Sequence, residues 1–283
     1  MRLFDKGREG FADKAIDWDT DNIKVTLVDL NDVDTGVKAI TGATTATPIV
    51  ITATSHGFAN GDIVVIFGVG GNTTANGTWK IKNQATNTFE LETLVGALNS
   101  VGVGAYTSGG TAIDLTLSDN LDDVNAGVVA TSANLSGKTL VNGLLDHADL
   151  SPAFTAVTGD ICEALIYYFD SGAAATSRLI FFNDGRTRVI VAADAAGSAT
   201  TLWIEPLERD LANSTVIIFS NGIIATLSAG ATAGARSLTV TAISGAIAAG
   251  HHGDAAWTGN GFPITPNGND INLTVYSGGL VTI

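Results

Sequence analysis

Four short strings carry the residue types that could do chemistry. His251-His252-Gly253-Asp254 offers two imidazoles and a carboxylate, a set that suits zinc or nickel. Neighbouring side chains on an extended strand leave opposite faces, so both rings would rarely reach one ion, and a solvated loop is the competing reading. Asp17-Trp18-Asp19-Thr20-Asp21-Asn22 places acids at the first, third and fifth positions of a calcium loop. The glycine required at the sixth is Asn22 and the glutamate required at the twelfth is Val28, so an EF-hand is excluded and only a looser calcium site stays open. Gly68-Val69-Gly70-Gly71-Asn72 is glycine-rich, but no lysine follows, so it reads as a hairpin loop and not a phosphate cradle. Cys162 is the one cysteine, which excludes an intramolecular disulfide or a zinc knuckle. It lies in Ile161–Phe169, which reads as a strand, and is expected to be a buried, inert thiol.

Nothing else assembles into a reaction centre. There is no Gly-x-Ser-x-Gly elbow, and four scattered histidines define no triad without geometry. The 28 Asp and Glu leave an acid pair for glycoside cleavage, and with it a tail-borne hydrolase, open, but aromatics at 7% are few for a carbohydrate groove. The chain therefore reads as non-enzymatic, with no catalytic residue, cofactor or metal assigned.

The elements that would position side chains are strands. The chain is 45% hydrophobic and 15% charged, too apolar and too weakly charged for a disordered segment. Ala, Thr, Ser, Gly and Asn replace the missing charge, which suits many short strands and turns, or a surface covered by neighbouring subunits. Apolar stretches are short and often alternating, as in Ile23–Asp29, Gly61–Phe67, Arg178–Phe182, Ser214–Phe219, Ser237–Thr241 and Asp270–Tyr276. Asn76-Gly77, Asn142-Gly143, Asp184-Gly185, Asn221-Gly222 and Asn267-Gly268 supply turns with positive φ. The one helix expected is Phe4–Ile16, interrupted by Gly7 and Gly10.

Charge and length bound the partners. A net charge of −14 with only 14 basic residues argues against a nucleic-acid partner. The opening residues lack the apolar region of a signal peptide, and no run reaches 18 apolar residues. The expectation is no membrane association and assembly in a cytoplasm.

A repeat shows in the last third. Ala193–Ser214 and Ala229–Gly250 match with Leu202 on Leu238, Ile204 on Val240, Leu207 on Ile243 and Leu211 on Ile247. A duplicated β unit explains it, and coincidence in an Ala-rich stretch is the alternative. Residues 38–113 form a second distinct block, rich in Thr, Gly and Asn. The expected fold is all-β, with a discontinuous β-sandwich core in residues 1–37, 114–187 and 261–283. A small inserted β-barrel occupies 38–113 and an inserted duplicated β unit 188–260, because loop tips tolerate insertions.

Six strings outside the blocks, in order, resemble a recurrent family of small tailed-phage structural proteins: Asp17–Asp29, Val129–Thr139, Phe154–Asp160, Glu163–Tyr167, Ala175–Ile180 and Pro263–Asp270. The first block, through Thr41–Asp62, Asn76–Trp79 and Asn87–Leu91, is similar to a barrel named after the first catalytic-cysteine half-domain of ubiquitin-activating enzymes, which also recurs in phage virion proteins. Residues 38–113 contain no cysteine, so that resemblance implies a barrel and not ubiquitin chemistry. Together the resemblances imply a virion protein. Within that class the expectation is a capsid decoration protein on the capsid surface, with the major capsid protein and copies of itself as partners, in trimers. The alternative is a tail fibre, baseplate or adaptor subunit binding host glycan.

Such a role needs anchors. Trp203 is out of phase with Leu202 and Ile204 and so should face outward, and Trp257 lies in a Gly-flanked loop. Arg2, Phe4, Arg8 and Phe11 belong to an opening arm that either docks on a neighbour or covers one end of its own sandwich.

Overall fold

The computed structural model describes residues 2–33, 35–94, 97–142, 144–184, 186–207, 210–256, 264–273 and 281–282. The chain is all-β, and the one α-helix among the described residues is Asp5–Ala12. It divides into two compact units. One comprises Met1–Gly36, Thr116–Gly185 and Asn260–Ile283, the other Val37–Leu115 and Arg186–Gly259.

The first unit is a sandwich. Its larger sheet runs in the order Arg2–Leu3, Leu179–Asn183, Ala164–Phe169, Ile23–Val28, Val128–Thr131, with antiparallel neighbours. Register between the central strands runs from Ala164 opposite Val28 to Phe169 opposite Ile23. Ile23, Val25 and Leu27 alternate onto one face and meet Leu165, Tyr167 and Phe181 there. Two smaller sheets bring Leu145, Phe154 and Leu273 into the same core. Trp18 is buried in that core, and its indole N–H donates to the Asp146 carbonyl at 2.9 Å.

The helix is shorter than its sequence pattern suggests. Gly7 and Gly10 do not interrupt it; both are buried points of close approach. A Cβ at Gly7 would lie 2.5 Å from the Ile180 carbonyl oxygen, and one at Gly10 would lie 2.4 Å from Ile16 Cδ1.

The second unit holds two closed barrels. In the first, the bent segment 37–43 pairs with Thr111–Asp114 at its start and with Val50–Thr52 at its end. Between those partners the order is Thr111–Asp114, Ile63–Phe67, Gly77–Lys82, Thr88–Glu92, Val50–Thr52, so the ring closes. Trp79 lies in its core and donates to the Ala75 carbonyl at 2.8 Å.

The second barrel explains the repeat. Arg186–Ile190, His252–Ala256, Val216–Phe219 and Ile224–Thr226 form one sheet, and Thr201–Trp203 pairs with Ser237–Thr239. The bridges Val191 to Ile204 and Leu227 to Val240 join the two into a ring. The pairings recur with a shift of the 36 positions that separate Leu202 from Leu238. Val191–Ile204 maps onto Leu227–Val240, and Leu211–Ala231 onto Ile247–Ala195. Leu202 faces Leu238 directly, and Ile218 faces Asp254, so a pseudo-two-fold axis passes through both pairs. Hydrogen bonds obey it too: Ser198 N donates to Ile243 O, and Gly234 N to Leu207 O, both at 2.8 Å. The equivalence reaches beyond the sequence match, because Arg186–Ile190 corresponds to the strand ending at Thr226, and Val216–Phe219 to the strand starting at His252.

Turns keep the symmetry at a cost. Ser198 and Ser214 adopt left-handed φ of 72° and 66°, where the second copy has Gly234 and Gly250 at 81° and 89°. Serine is strained there and glycine is not. Ser198→Gly and Ser214→Gly should each raise stability by about 0.5 kcal/mol, the strain relief slightly exceeding the added unfolded-state entropy. Denaturant midpoints would register the change, and a lower midpoint would contradict this account of the turns.

Candidate interaction surfaces and an acidic cluster

The acids that converge are not those of the calcium-like string. Asp17, Asp19 and Asp21 serve their own turn: Asp19 N donates to Asp17 Oδ1 at 3.1 Å and Asp17 N to Asp21 Oδ2 at 2.8 Å. Instead, carboxylate oxygens of Asp29, Asp32 and Asp160 lie within 4.8 Å of one another. Strand Ile23–Val28 ends where Glu163 N donates to Val28 O at 3.0 Å, and the chain then turns as Asn31 N donates to Asp29 Oδ1 at 2.8 Å. Leu30 N donates to Glu163 Oε2 at 2.9 Å, which draws a fourth acid to the rim. Sequence spacing could not reveal this group, because strand pairing brings Asp160 and Glu163 to the end of a strand more than a hundred positions earlier.

Burial, with Asp29 nearby, pushes the Glu163 carboxyl up to about 7. The sign of the linkage is defined: a raised folded pKa gives stability that is full below about 4.5 and lost as pH rises through about 7. Glu163→Gln keeps an oxygen for Leu30 N–H and removes the charge. Urea midpoints should show the variant more stable by about 1–2 kcal/mol at pH 8, with the gain vanishing at pH 4.5. Equal midpoints at pH 8 would contradict the burial account.

The cysteine and the histidines are tied into the fold. The thiol of Cys162 is buried, as its strand context implies, and burial pushes it up to about 12. His56 accepts from Phe58 N at Nδ1 (3.0 Å), so Nε2 is the protonated nitrogen and donates to Ala85 O at 2.7 Å. His147 is buried between Ala148 O and the Tyr167 hydroxyl, and desolvation pulls its pKa down. His251-His252 is not the solvated loop expected: His252 opens the strand His252–Ala256 and is buried. His251 Nδ1 lies 2.8 Å from Ser220 Oγ, and the buried His252 ring sits 5.0 Å from the Trp79 ring.

The residues singled out as interface anchors divide. Phe4 is buried, with its N–H donating to Ile180 O at 2.9 Å, so it is a core residue and not an outward anchor. Phe11 is partly buried against the same core, Arg2 pairs through its backbone with Phe182, and Arg8 forms an ion pair with Asp5. The arm therefore covers its own sandwich: its pattern of Leu3, Phe4 and Phe11 is that of a strap. Trp203 is 59% exposed opposite Ser237, as its phase against Leu202 and Ile204 requires. Trp257 lies outside the described residues. Sequence reading missed the exposed aliphatics Val216, Ile224 and Val103 on the second unit and Leu140 and Val141 on the first. Val216-Ile217-Ile218-Phe219 is apolar throughout, and only the sheet shows that one face is open.

No protein-family model matches the chain, and no curated protein is similar to it. No helix among the described residues is long and apolar enough to cross a membrane.

Proposed function

We propose that this chain is a structural, non-enzymatic protein of a tailed-phage particle, decorating the capsid surface through contacts with the major capsid protein and with copies of itself. The observation that carries the reading is the division of labour among side chains. The cysteine and the four histidines are bound into the fold, while aliphatic side chains and Trp203 stand exposed among the described residues. Exposed apolar groups on a rigid β scaffold suit interfaces. The six motifs that resemble small tailed-phage proteins support the particle, and the net charge of −14 supports a place outside the genome compartment. Trimers at local three-fold axes are what that resemblance implies.

Quantitative mass spectrometry of purified particles tests the reading. Copy numbers comparable to the major capsid protein are expected, and particles lacking the chain should lose heads at lower temperature. A few copies at one vertex would move the chain to the tail. One observation favours that second reading: Trp203 is exposed on the strand face that Thr201, Ser237 and Thr239 share, where a sugar ring could stack on the indole. Binding of host surface polysaccharide that Trp203→Ala abolishes would support it.

A further inference from the structure

One hydrogen bond beyond the end of strand Ile23–Val28 cannot exist between fully ionised partners. The side chains of Asp29 and Glu163 are hydrogen-bonded to each other. Two carboxylates offer acceptors only, so the contact needs a proton held between them. The neighbouring donors are already placed. Leu30 N donates to Glu163 Oε2 at 2.9 Å, and Asn31 donates to Asp29 Oδ1 from its backbone N at 2.8 Å and from Nδ2 at 3.0 Å. Among the described residues, the titratable groups that face the pair are acidic. Asp32 comes from the same turn, and Asp160 and the Cys162 thiol come from the segment that leads into strand Ala164–Phe169. Asp123, on the adjoining turn whose carbonyl accepts Thr35 N, spends its carboxylate on the Asp119 and Asn120 amides. Removing the proton leaves like charges in contact where burial already penalises them. The turn itself is lightly held. Asp29 N donates to Gly127 O at 2.8 Å and Asp32 N to Asp29 O at 3.3 Å, whereas the strand before it is paired along both edges.

We propose that Asp29 and Glu163 form a proton-operated latch on the turn 29–33: sharing one proton they hold the turn shut over the buried Leu30, and losing it lets the turn open while the sheet stays paired. An open turn separates the two carboxyls and lets each ionise in water. The closed form therefore keeps a proton that the open form gives up. Closure is complete in mild acid and weakens as pH rises through about 7. The turn is part of the last stretch of sandwich before the chain passes to the first barrel at Val37, so the latch governs that exit segment and not the sheets. A fall in overall stability would loosen every amide of the sandwich together, whereas the latch loosens the turn alone. The device does not depend on the particle reading.

Amide shifts and hydrogen exchange of the full isotope-labelled chain, from about pH 5.5 to about 8.5, test it. The Leu30 amide, which donates to Glu163, should shift with a midpoint near 7. After correction for the intrinsic exchange rate, protection at Leu30 and Asn31 should be flat below about pH 6 and fall by up to about tenfold per unit above about 7. Amides of strand Ala164–Phe169 should keep theirs. Glu163→Gln retains an acceptor for Leu30 N and gains a donor for Asp29, so protection of the turn should stay flat across the range. Asp29→Asn supplies a donor to the ionised Glu163 and should lower the Leu30 midpoint by about one unit or more. A Leu30 midpoint below about 5 in the wild-type chain would overturn the proposal whether or not either variant folds. So would pH-dependent protection that survives Glu163→Gln, or a loss spread evenly over the sandwich.

Discussion

Phe219→Ala should cost the second barrel about 3–5 kcal/mol, because the ring is fully buried and little can move in to replace it. The more informative result comes from an exchange across the pseudo-axis. Ile217 and Phe219 face Ala255 and Gly253, which are their own symmetry mates. A Cβ at Gly253 would come within 2.5 Å of Ile217 Cγ2 and 3.1 Å of Phe219 Cδ1, so bulk on one strand is matched by its absence on the other. Moving the bulk across, with Ile217→Gly, Phe219→Ala, Gly253→Ile and Ala255→Phe together, keeps volume and contacts. It should restore most of the stability that the first two changes remove. Guanidinium denaturation of the full chain reads both numbers. A fourfold variant no more stable than the twofold one would sink the claim that the two halves are interchangeable in the core.

Gly7→Ala should destabilise the first unit by about 2–3 kcal/mol, against the usual sign. Glycine inside an exposed helix is normally about 1 kcal/mol worse than alanine. Here the added methyl would meet the Ile180 carbonyl oxygen at 2.5 Å and its Cα at 2.8 Å, and backbone cannot yield as a flexible side chain does. The helix would lift from strand Leu179–Asn183 and draw the buried Phe4 with it. Hydrogen exchange at residues 4–12 should rise far more than elsewhere. A stabilised Gly7→Ala would mean that the helix is not seated as described.

Much of this architecture is legible in the sequence because strands and turns write local signals. Asn-Gly pairs, alternating apolar runs and the match of Leu202 with Leu238 need no knowledge of distant contacts. What stays hidden is set by pairing between remote segments. The bridges that close the second barrel join positions whose side chains look like ordinary strand residues. Gly7 reads as a helix breaker until its contact with Ile180 is known. Phe4 looks like an anchor because burial by a strand nearly 180 positions away leaves no local trace. Val216 shows the converse, an apolar residue in an apolar run that ends half in solvent.

The way the chain enters and leaves its two units also bears on force. Both the Arg2–Leu3 and Val281–Thr282 strands belong to the sandwich, while the barrels are reached and left through its interior segments. Tension applied between those two strands would travel through the sandwich alone. Both barrels would stay slack until it ruptured, so a single-molecule extension trace should begin with sandwich opening and release the barrels only afterwards.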